Sequence, residues 1–111
     1  MKKEFDEVQL MNEIPQIQQI QDEGLREKTI LAWRMAYEDS NFEDLPSVLF
    51  SPYYAAPTLL GHTKAVTEAS IQLARIVQEA HGYEIDMDAL ICISVLHDIS
   101  KLREYDPAED G

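Results

Sequence analysis

Residues 61–101 read GHTKAVTEASIQLARIVQEAHGYEIDMDALICISVLHDISK and carry the strongest structural signal in the chain. Their first half repeats apolar residues every three or four positions, the spacing of one face of an α-helix. The residues that share this face are His62, Val66, Ala69, Leu73 and Val77, with Ile76 and Ala80 beside it. Gly82 is a typical residue to end this helix, and Asp86 or Asp88 can cap a second helix over the apolar run 89–96. The stretch therefore predicts two consecutive helices joined by a short loop.

The N-terminal third of the chain predicts further helices. Pro15 fits the first turn of a short helix whose isoleucines, Ile14, Ile17 and Ile20, are spaced three residues apart. Asp22 is a plausible start for the next helix, which has a stripe of residues at helical spacing. The stripe comprises Leu25, Thr29, Ala32, Trp33, Ala36 and Tyr37, and its two aromatic residues are assigned to the core. No segment alternates with period two, so we expect an all-α bundle of four or five helices.

Residues 41–58 form an irregular connector that contains Pro46, Pro52 and Pro57. Three prolines in this span exclude a continuous helix because each ring clashes with the preceding turn. The connector directly precedes the helix that carries His62. It is therefore in a position to form part of a pocket wall near that histidine.

The composition of the chain disfavours some classes of binding partner. The 111 residues suit one small domain, and their net charge of −12 disfavours a broad nucleic-acid groove. A small phosphorylated substrate remains compatible with this charge if a bound divalent cation reverses it locally. No apolar run approaches the roughly 18 residues of a membrane span, and the N-terminus lacks the pattern of a secretory signal. With Cys92, the one cysteine, expected to be buried in an apolar run, these features predict a cytoplasmic protein without a membrane partner.

Three residues form a candidate metal site. Helices joined by a short loop usually pack antiparallel, so His62 at the start of one should approach His97 and Asp98 at the end of the next. Two imidazoles and a carboxylate on rigid elements suit a transition metal. Asp98 at a helix C-terminus is disfavoured by the helix dipole and needs a compensating cation, which is either a metal or Lys101 three residues later. Spacing alone leaves both alternatives open.

Residues 60–105 resemble the opening half of an HD domain, a family marked by the pattern H…HD…D. His62 matches the first histidine, and His97–Asp98 match the central pair. The family often reads HDIGK after the pair and this chain reads HDISK, so Lys101 is retained and Ser100 replaces a glycine. The resemblance implies an all-α bundle and a metal-dependent phosphohydrolase that cleaves a phosphate ester of a nucleotide or another small phosphorylated metabolite.

The resemblance also implies roles for these residues. His62, His97 and Asp98 would hold one or two divalent transition-metal ions, drawn from Mn, Fe, Ni, Co and Zn. Asp98 and Lys101 would act in catalysis, with the lysine meeting the phosphate. His81 lies at the far end of its helix, about 28 Å from His62 at 1.5 Å per residue, and is excluded from the site.

The family pattern ends with an aspartate on a later helix, whereas this sequence ends at Gly111. Asp106 and Asp110 lie in an apparent turn and are not expected to replace that ligand. We therefore expect residues 1–58 to be a helical lead-in and residues 59–111 the first part of a truncated HD domain, inactive by itself. Half a bundle would expose apolar faces and self-associate. The alternative function is a non-catalytic helical binding or dimerisation module, and a third is a plain helical scaffold.

Overall fold

Helices make up most of the chain described by the computed structural model, which covers residues 3–51 and 56–104. In order they are α1 (Glu7–Glu13), a 3-10 helix (Pro15–Gln19), α2 (Glu23–Asp39), a second 3-10 helix (Leu45–Ser47), α3 (Leu59–His81), α4 (Met87–Leu96) and α5 (Lys101–Glu104). Pairing of extended backbone in these residues is limited to one isolated bridge, between Leu49 and Thr58. The all-α prediction is confirmed. Among the described helices, none combines the length and apolar character needed to cross a bilayer.

The predicted helix boundaries follow local sequence chemistry. The Asp22 carboxylate caps α2 by accepting the backbone N–H of Leu25 at 3.0 Å. Gly82 ends α3 in the left-handed region with φ of 68°, where a side chain would be strained. Between the two candidate caps of α4, Asp86 is the one that accepts the N–H of Ala89.

Asp88 has a different role, which joins distant parts of the chain. Its two carboxylate oxygens accept the backbone N–H groups of Gln21 and Asp22, each at 2.8 Å. These amides lie immediately before α2, so the side chain joins the start of α4 to the start of α2. No local pattern in the sequence predicts this contact.

A single hydrophobic core draws on residues from both sides of the connector. Ile14, Ile17 and Ile20 are fully buried, and their three-residue spacing suits the three residues per turn of the 3-10 helix that forms there. The sequence predicts a short amphipathic helix here, and the helix that forms is of the 3-10 type. Trp33 is also fully buried, as predicted, and its indole N–H donates to the carbonyl of Val95. The division into two segments at residue 58 stays a prediction.

The prediction that Cys92 is buried is wrong, because this residue is only partly buried. The Thr29 hydroxyl donates to the Leu25 carbonyl at 2.8 Å and lies 3.4 Å from the Cys92 sulfur. The thiol therefore lies at the rim of the contact between α2 and α4. Helix α4 is short, and its outward side remains accessible there.

The apolar stripe on α3 is not the face that packs against the core. The buried face is a neighbouring one, formed by Leu59, Leu60, Thr63, Thr67, Ile71 and Ala74. Leu73 on the stripe is 62% exposed, Ile76 beside it is 60% exposed, and Ile93 on α4 is 67% exposed. Large apolar side chains thus remain accessible on both helices in the described part of the chain.

The described N-terminal segment is attached to the end of α2 through Lys3. The Lys3 ammonium donates to the carbonyl oxygens of Tyr37, Ser40 and Phe42 at 2.6–2.7 Å. These carbonyls lie at and just after the C-terminus of α2, where the helix dipole favours a positive charge. The ammonium also lies 4.3 Å from the centroid of the Tyr37 ring.

Candidate metal centre

The three residues predicted as ligands lie together. The Asp98 Oδ2 atom is 3.3 Å from His62 Nε2 and 2.6 Å from His97 Nε2. One potential ligand atom from each residue lies within 4.8 Å of the other two, so the group can hold a metal ion. Their assignment as ligands stays a prediction, whereas the proximity expected from antiparallel helices is found.

This convergence needs more than two antiparallel helices, because α3 and α4 differ in length. From His62 to the end of α3 is about 28 Å, but from the start of α4 to His97 is about 15 Å. The extended connector 82–86 can span up to roughly 16 Å and makes up the difference. It runs back alongside α3, since the Ile85 N–H donates to the Gln78 side chain one turn before the helix ends.

His97 is oriented by a hydrogen bond within its own segment. Its Nδ1 atom lies 2.5 Å from the carbonyl oxygen of Ser94. A carbonyl only accepts hydrogen bonds, so Nδ1 donates to it and the ring presents Nε2 to the carboxylate of Asp98. Nε2 lies 2.6 Å from Asp98 Oδ2, which is a hydrogen-bond distance. A bound metal ion would replace this contact and take both atoms as ligands.

His62 is oriented by an aromatic ring. The Phe50 ring stacks on its imidazole with centroids 3.9 Å apart and an interplanar angle of 27°. Phe50 belongs to the connector 41–58, so this connector does contact His62, whereas its role as a pocket wall stays a prediction. Residues 52–55 of the connector, including Pro52, lie outside the described residues.

Lys101 lies beside the cluster. Its ammonium is 5.3 Å from the centroid of the Phe50 ring and forms an ion pair with Glu104 at 2.9 Å. Its backbone N–H donates to the Asp98 carbonyl, which begins α5 directly after the predicted ligand pair. The Asp98 carboxylate contacts two imidazoles. The simpler hypothesis of a local Asp98–Lys101 pair does not explain these contacts.

Two features at the start of α3 bring His62 into place. The Thr58 side chain caps the helix by accepting the backbone N–H of Gly61 at 3.0 Å. A Cβ atom at Gly61 would lie 2.8 Å from the Thr58 hydroxyl oxygen, which is too close for an undistorted cap. Thr58, Gly61, Phe50 and Ser94 were not predicted as site residues. Only the Thr-x-x-Gly sequence ahead of His62 offers a local signal, that of a helix cap.

The remaining candidates do not join the cluster among the described residues. His81 is exposed at the opposite end of α3, and its ring lies 5.7 Å from that of Tyr83. Asp106 and Asp110 lie outside the described residues. The three side chains of the cluster are 18–33% exposed, so an ion can reach them from solvent.

Comparison with known proteins gives one informative similarity. The chain is 31% identical over 102 residues to dihydroneopterin 2',3'-cyclic phosphate phosphodiesterase from Methanocaldococcus jannaschii. The match covers 85% of this chain and 41% of that enzyme, so the chain spans about two fifths of the length of its curated relative. No protein-family description matches the sequence, and no solved structure matches it.

Proposed function

We propose that this chain forms the metal-binding part of an HD-type phosphohydrolase that hydrolyses a phosphodiester in a small metabolite. The observation that carries the proposal is the convergence of His62, His97 and Asp98, with one ligand atom from each within 4.8 Å of the others. The similarity to a cyclic phosphate phosphodiesterase supports the choice of reaction. A cyclic phosphate ester of a small, heterocycle-bearing alcohol is the substrate class that this relative suggests.

The donor set agrees with a transition metal. Two imidazoles and a carboxylate favour Mn, Fe, Co, Ni or Zn over calcium, which prefers oxygen ligands alone. Three protein ligands also leave coordination positions open for water and substrate. When bound, such an ion would supply a water of lowered pKa and withdraw charge from a phosphoryl oxygen.

The protein groups have definable tasks in the hydrolysis of a cyclic phosphodiester. A new bond forms between phosphorus and the oxygen of water, and one phosphorus–oxygen bond of the ring breaks. The proton lost by water balances the one gained by the leaving alkoxide, and the product is a phosphomonoester. Asp98, half-buried between two imidazoles, would hold the attacking water. The Lys101 ammonium would offset negative charge on a phosphoryl oxygen.

Metal binding by the purified chain tests the site directly. Isothermal titration with Mn²⁺, and separately with Zn²⁺, is expected to give a saturable site in the unaltered chain. His97→Ala should abolish it, whereas His81→Ala at the other end of α3 should leave it unchanged. Equal loss in both variants, or binding that survives His97→Ala, would contradict the proposed centre.

The reaction needs a separate test in the longest natural chain that contains these residues. Metal-loaded protein is incubated with dihydroneopterin 2',3'-cyclic phosphate, and ³¹P NMR follows conversion of the cyclic diester to a monoester. We expect turnover that His97→Ala removes. Metal binding without turnover would reject this substrate while leaving the metal site intact.

A second candidate function, a helical association module, is favoured by one observation. Leu73, Ile76 and Ile93 are each at least 60% exposed, and exposed apolar clusters commonly mark interaction surfaces. Sedimentation equilibrium is expected to show self-association that weakens in Leu73→Lys. A strict monomer at high concentration would reject this candidate.

A further inference from the structure

We infer that Phe50 is a positioning residue for the metal centre, because it fixes the plane of the His62 imidazole and keeps the Lys101 ammonium beside the cluster. The inference rests on the proposed function as a metal site. It adds a residue from outside the helices that carry the three predicted ligands. Phe50 contacts His62 and Lys101 at once, with the ring centroid 3.9 Å from the imidazole centroid and 5.3 Å from the ammonium nitrogen.

The backbone of Phe50 is fixed to the start of α3. Its N–H donates to the Pro57 carbonyl at 2.8 Å, and the Leu59 N–H donates to the Val48 carbonyl at 2.8 Å. These two bonds join the ends of the connector on either side of the ring. Because His62 lies within the next turn, the positions of the phenyl ring and the imidazole are coupled through a short, hydrogen-bonded path.

The two histidines are oriented by different means. His97 has a carbonyl partner for its second ring nitrogen, the usual arrangement behind a metal-bound imidazole. Within residues 3–51 and 56–104, no hydrogen bond is found for Nδ1 of His62. Stacking on Phe50 and the 3.3 Å contact of Nε2 with Asp98 are therefore the contacts that restrain rotation of this ring. Loss of the stack would leave the imidazole free to adopt rotamers that turn Nε2 away from Asp98.

The electrostatics of the ring favour the metal-bound state. The face of a phenyl ring is electron-rich and attracts cations and electron-poor rings. An imidazole that has donated its lone pair to a metal is electron-poor, so the stack with Phe50 strengthens when the ion binds. Phe50 and Glu104 also give the Lys101 ammonium partners other than Asp98, which reduces competition between the ammonium and a metal ion for that carboxylate.

The test compares two phenylalanines in similar surroundings. Phe5 lies 6.4 Å from the Tyr37 ring and 5.5 Å from the Arg34 guanidinium, away from the metal centre. Phe50→Leu and the matched control Phe5→Leu are titrated with Mn²⁺ alone, and their melting temperatures are measured. We expect Phe50→Leu to weaken Mn²⁺ binding about 10-fold or more, the size of effect seen when groups that orient metal ligands are removed. Phe5→Leu should leave the affinity unchanged, and Phe50→Tyr should restore it.

A structural readout separates positioning from general destabilisation. In the metal-free protein, the ring current of Phe50 should shift the NMR signals of the His62 ring protons upfield, and Phe50→Leu should remove this shift without moving the signals of His97. Unchanged Mn²⁺ affinity in Phe50→Leu, together with its loss in His62→Ala, would overturn the inference and leave the metal site standing. No Mn²⁺ binding by the unaltered chain would overturn both.

Discussion

The two histidines of the cluster contrast in how the chain holds them. His97 follows α4 and bonds to Ser94 three residues earlier, so its orientation depends on local backbone geometry. His62 lies in the first turn of α3 and is restrained by Phe50, which belongs to a proline-containing connector. Both rings direct Nε2 toward the same Asp98 oxygen. One half of the site is thus organised by its own helix, and the other half depends on the packing of a loop.

The largest fall in metal affinity is expected when Asp98 is changed, because both histidines contact this residue. Asp98→Ala removes the oxygen that both imidazoles face and leaves only two imidazole ligands, so Mn²⁺ affinity should fall more than about 100-fold, beyond the usual effect of removing a group that only orients a ligand. Isothermal titration measures the change. Asp39→Asn serves as the control, since that carboxylate is exposed and pairs with Arg103 away from the cluster. Similar losses in the two variants would mean that overall charge, not the cluster, governs binding.

A smaller effect is expected when only the half that contains His62 is disturbed. Gly61→Ala puts a Cβ 2.8 Å from the Thr58 hydroxyl oxygen and should weaken the cap of α3. Loss of a cap typically lowers the free energy of unfolding by about 1 kcal/mol. Urea unfolding measures this loss, and Mn²⁺ titration should show weaker binding.

Gly24→Ala is the matched control for this change, because its Cβ would meet the nearest atom at an ordinary 3.4 Å in the first turn of α2. Alanine there should be neutral or stabilising, since it lowers the entropy of the unfolded chain. A Gly61→Ala variant as stable as Gly24→Ala, with unaltered metal binding, would show that His62 does not depend on this cap.

Release of Lys101 from its ion pair should have a modest effect on ligand binding. Glu104→Gln removes the carboxylate that holds the ammonium, and an exposed pair of this kind contributes roughly 0.2–1 kcal/mol. In metal-loaded protein, inorganic phosphate should bind severalfold more tightly to this variant than to the unaltered chain. Lys101→Met should remove the gain. If phosphate affinity is the same in the unaltered chain and in both variants, the proposed phosphate-binding role of Lys101 is contradicted.

The smallest expected effect is on the stability of the protein at acid pH, to which Glu68 on α3 contributes. Hydrogen bonds from Gln72 and then Gln16 lower the pKa of Glu68 below its ordinary value of 4.5. A group whose pKa is depressed by folding adds stability above its unfolded pKa, and this is lost as pH falls through the folded value. Thermal melts between pH 6 and about 3 should therefore show a slightly smaller acid destabilisation in Glu68→Gln than in the unaltered chain. Identical pH profiles would contradict this contribution.

Local patterns in the sequence predicted much of the fold and the position of the candidate site. The caps at Asp22 and Asp86 and the break at Gly82 depend on neighbours a few residues away, and all three are found. The approach of His62 to His97 was predicted from the rule that helices joined by a short loop pack antiparallel. Because α3 is longer than α4, it also requires the connector 82–86 to run back alongside α3. Similarity to a phosphodiesterase agrees with the reaction class inferred from the motif. The HD-type architecture and the ligand roles stay predictions.

Contacts between distant segments were decided only by the tertiary structure. Lys3 meets the end of α2 some 34–39 residues away, and Asp88 meets the start of α2 across 66–67 residues. The stacking of Phe50 on His62 and the choice of the buried face of α3 belong to the same class. Sequence periodicity identifies which residues form an apolar face of a helix. It does not identify which face is buried, because the burial of a side chain depends on which other elements pack against it. Spacing and capping act within one helix turn, so the sequence alone determines them, whereas the orientation of His62 depends on how the whole chain packs.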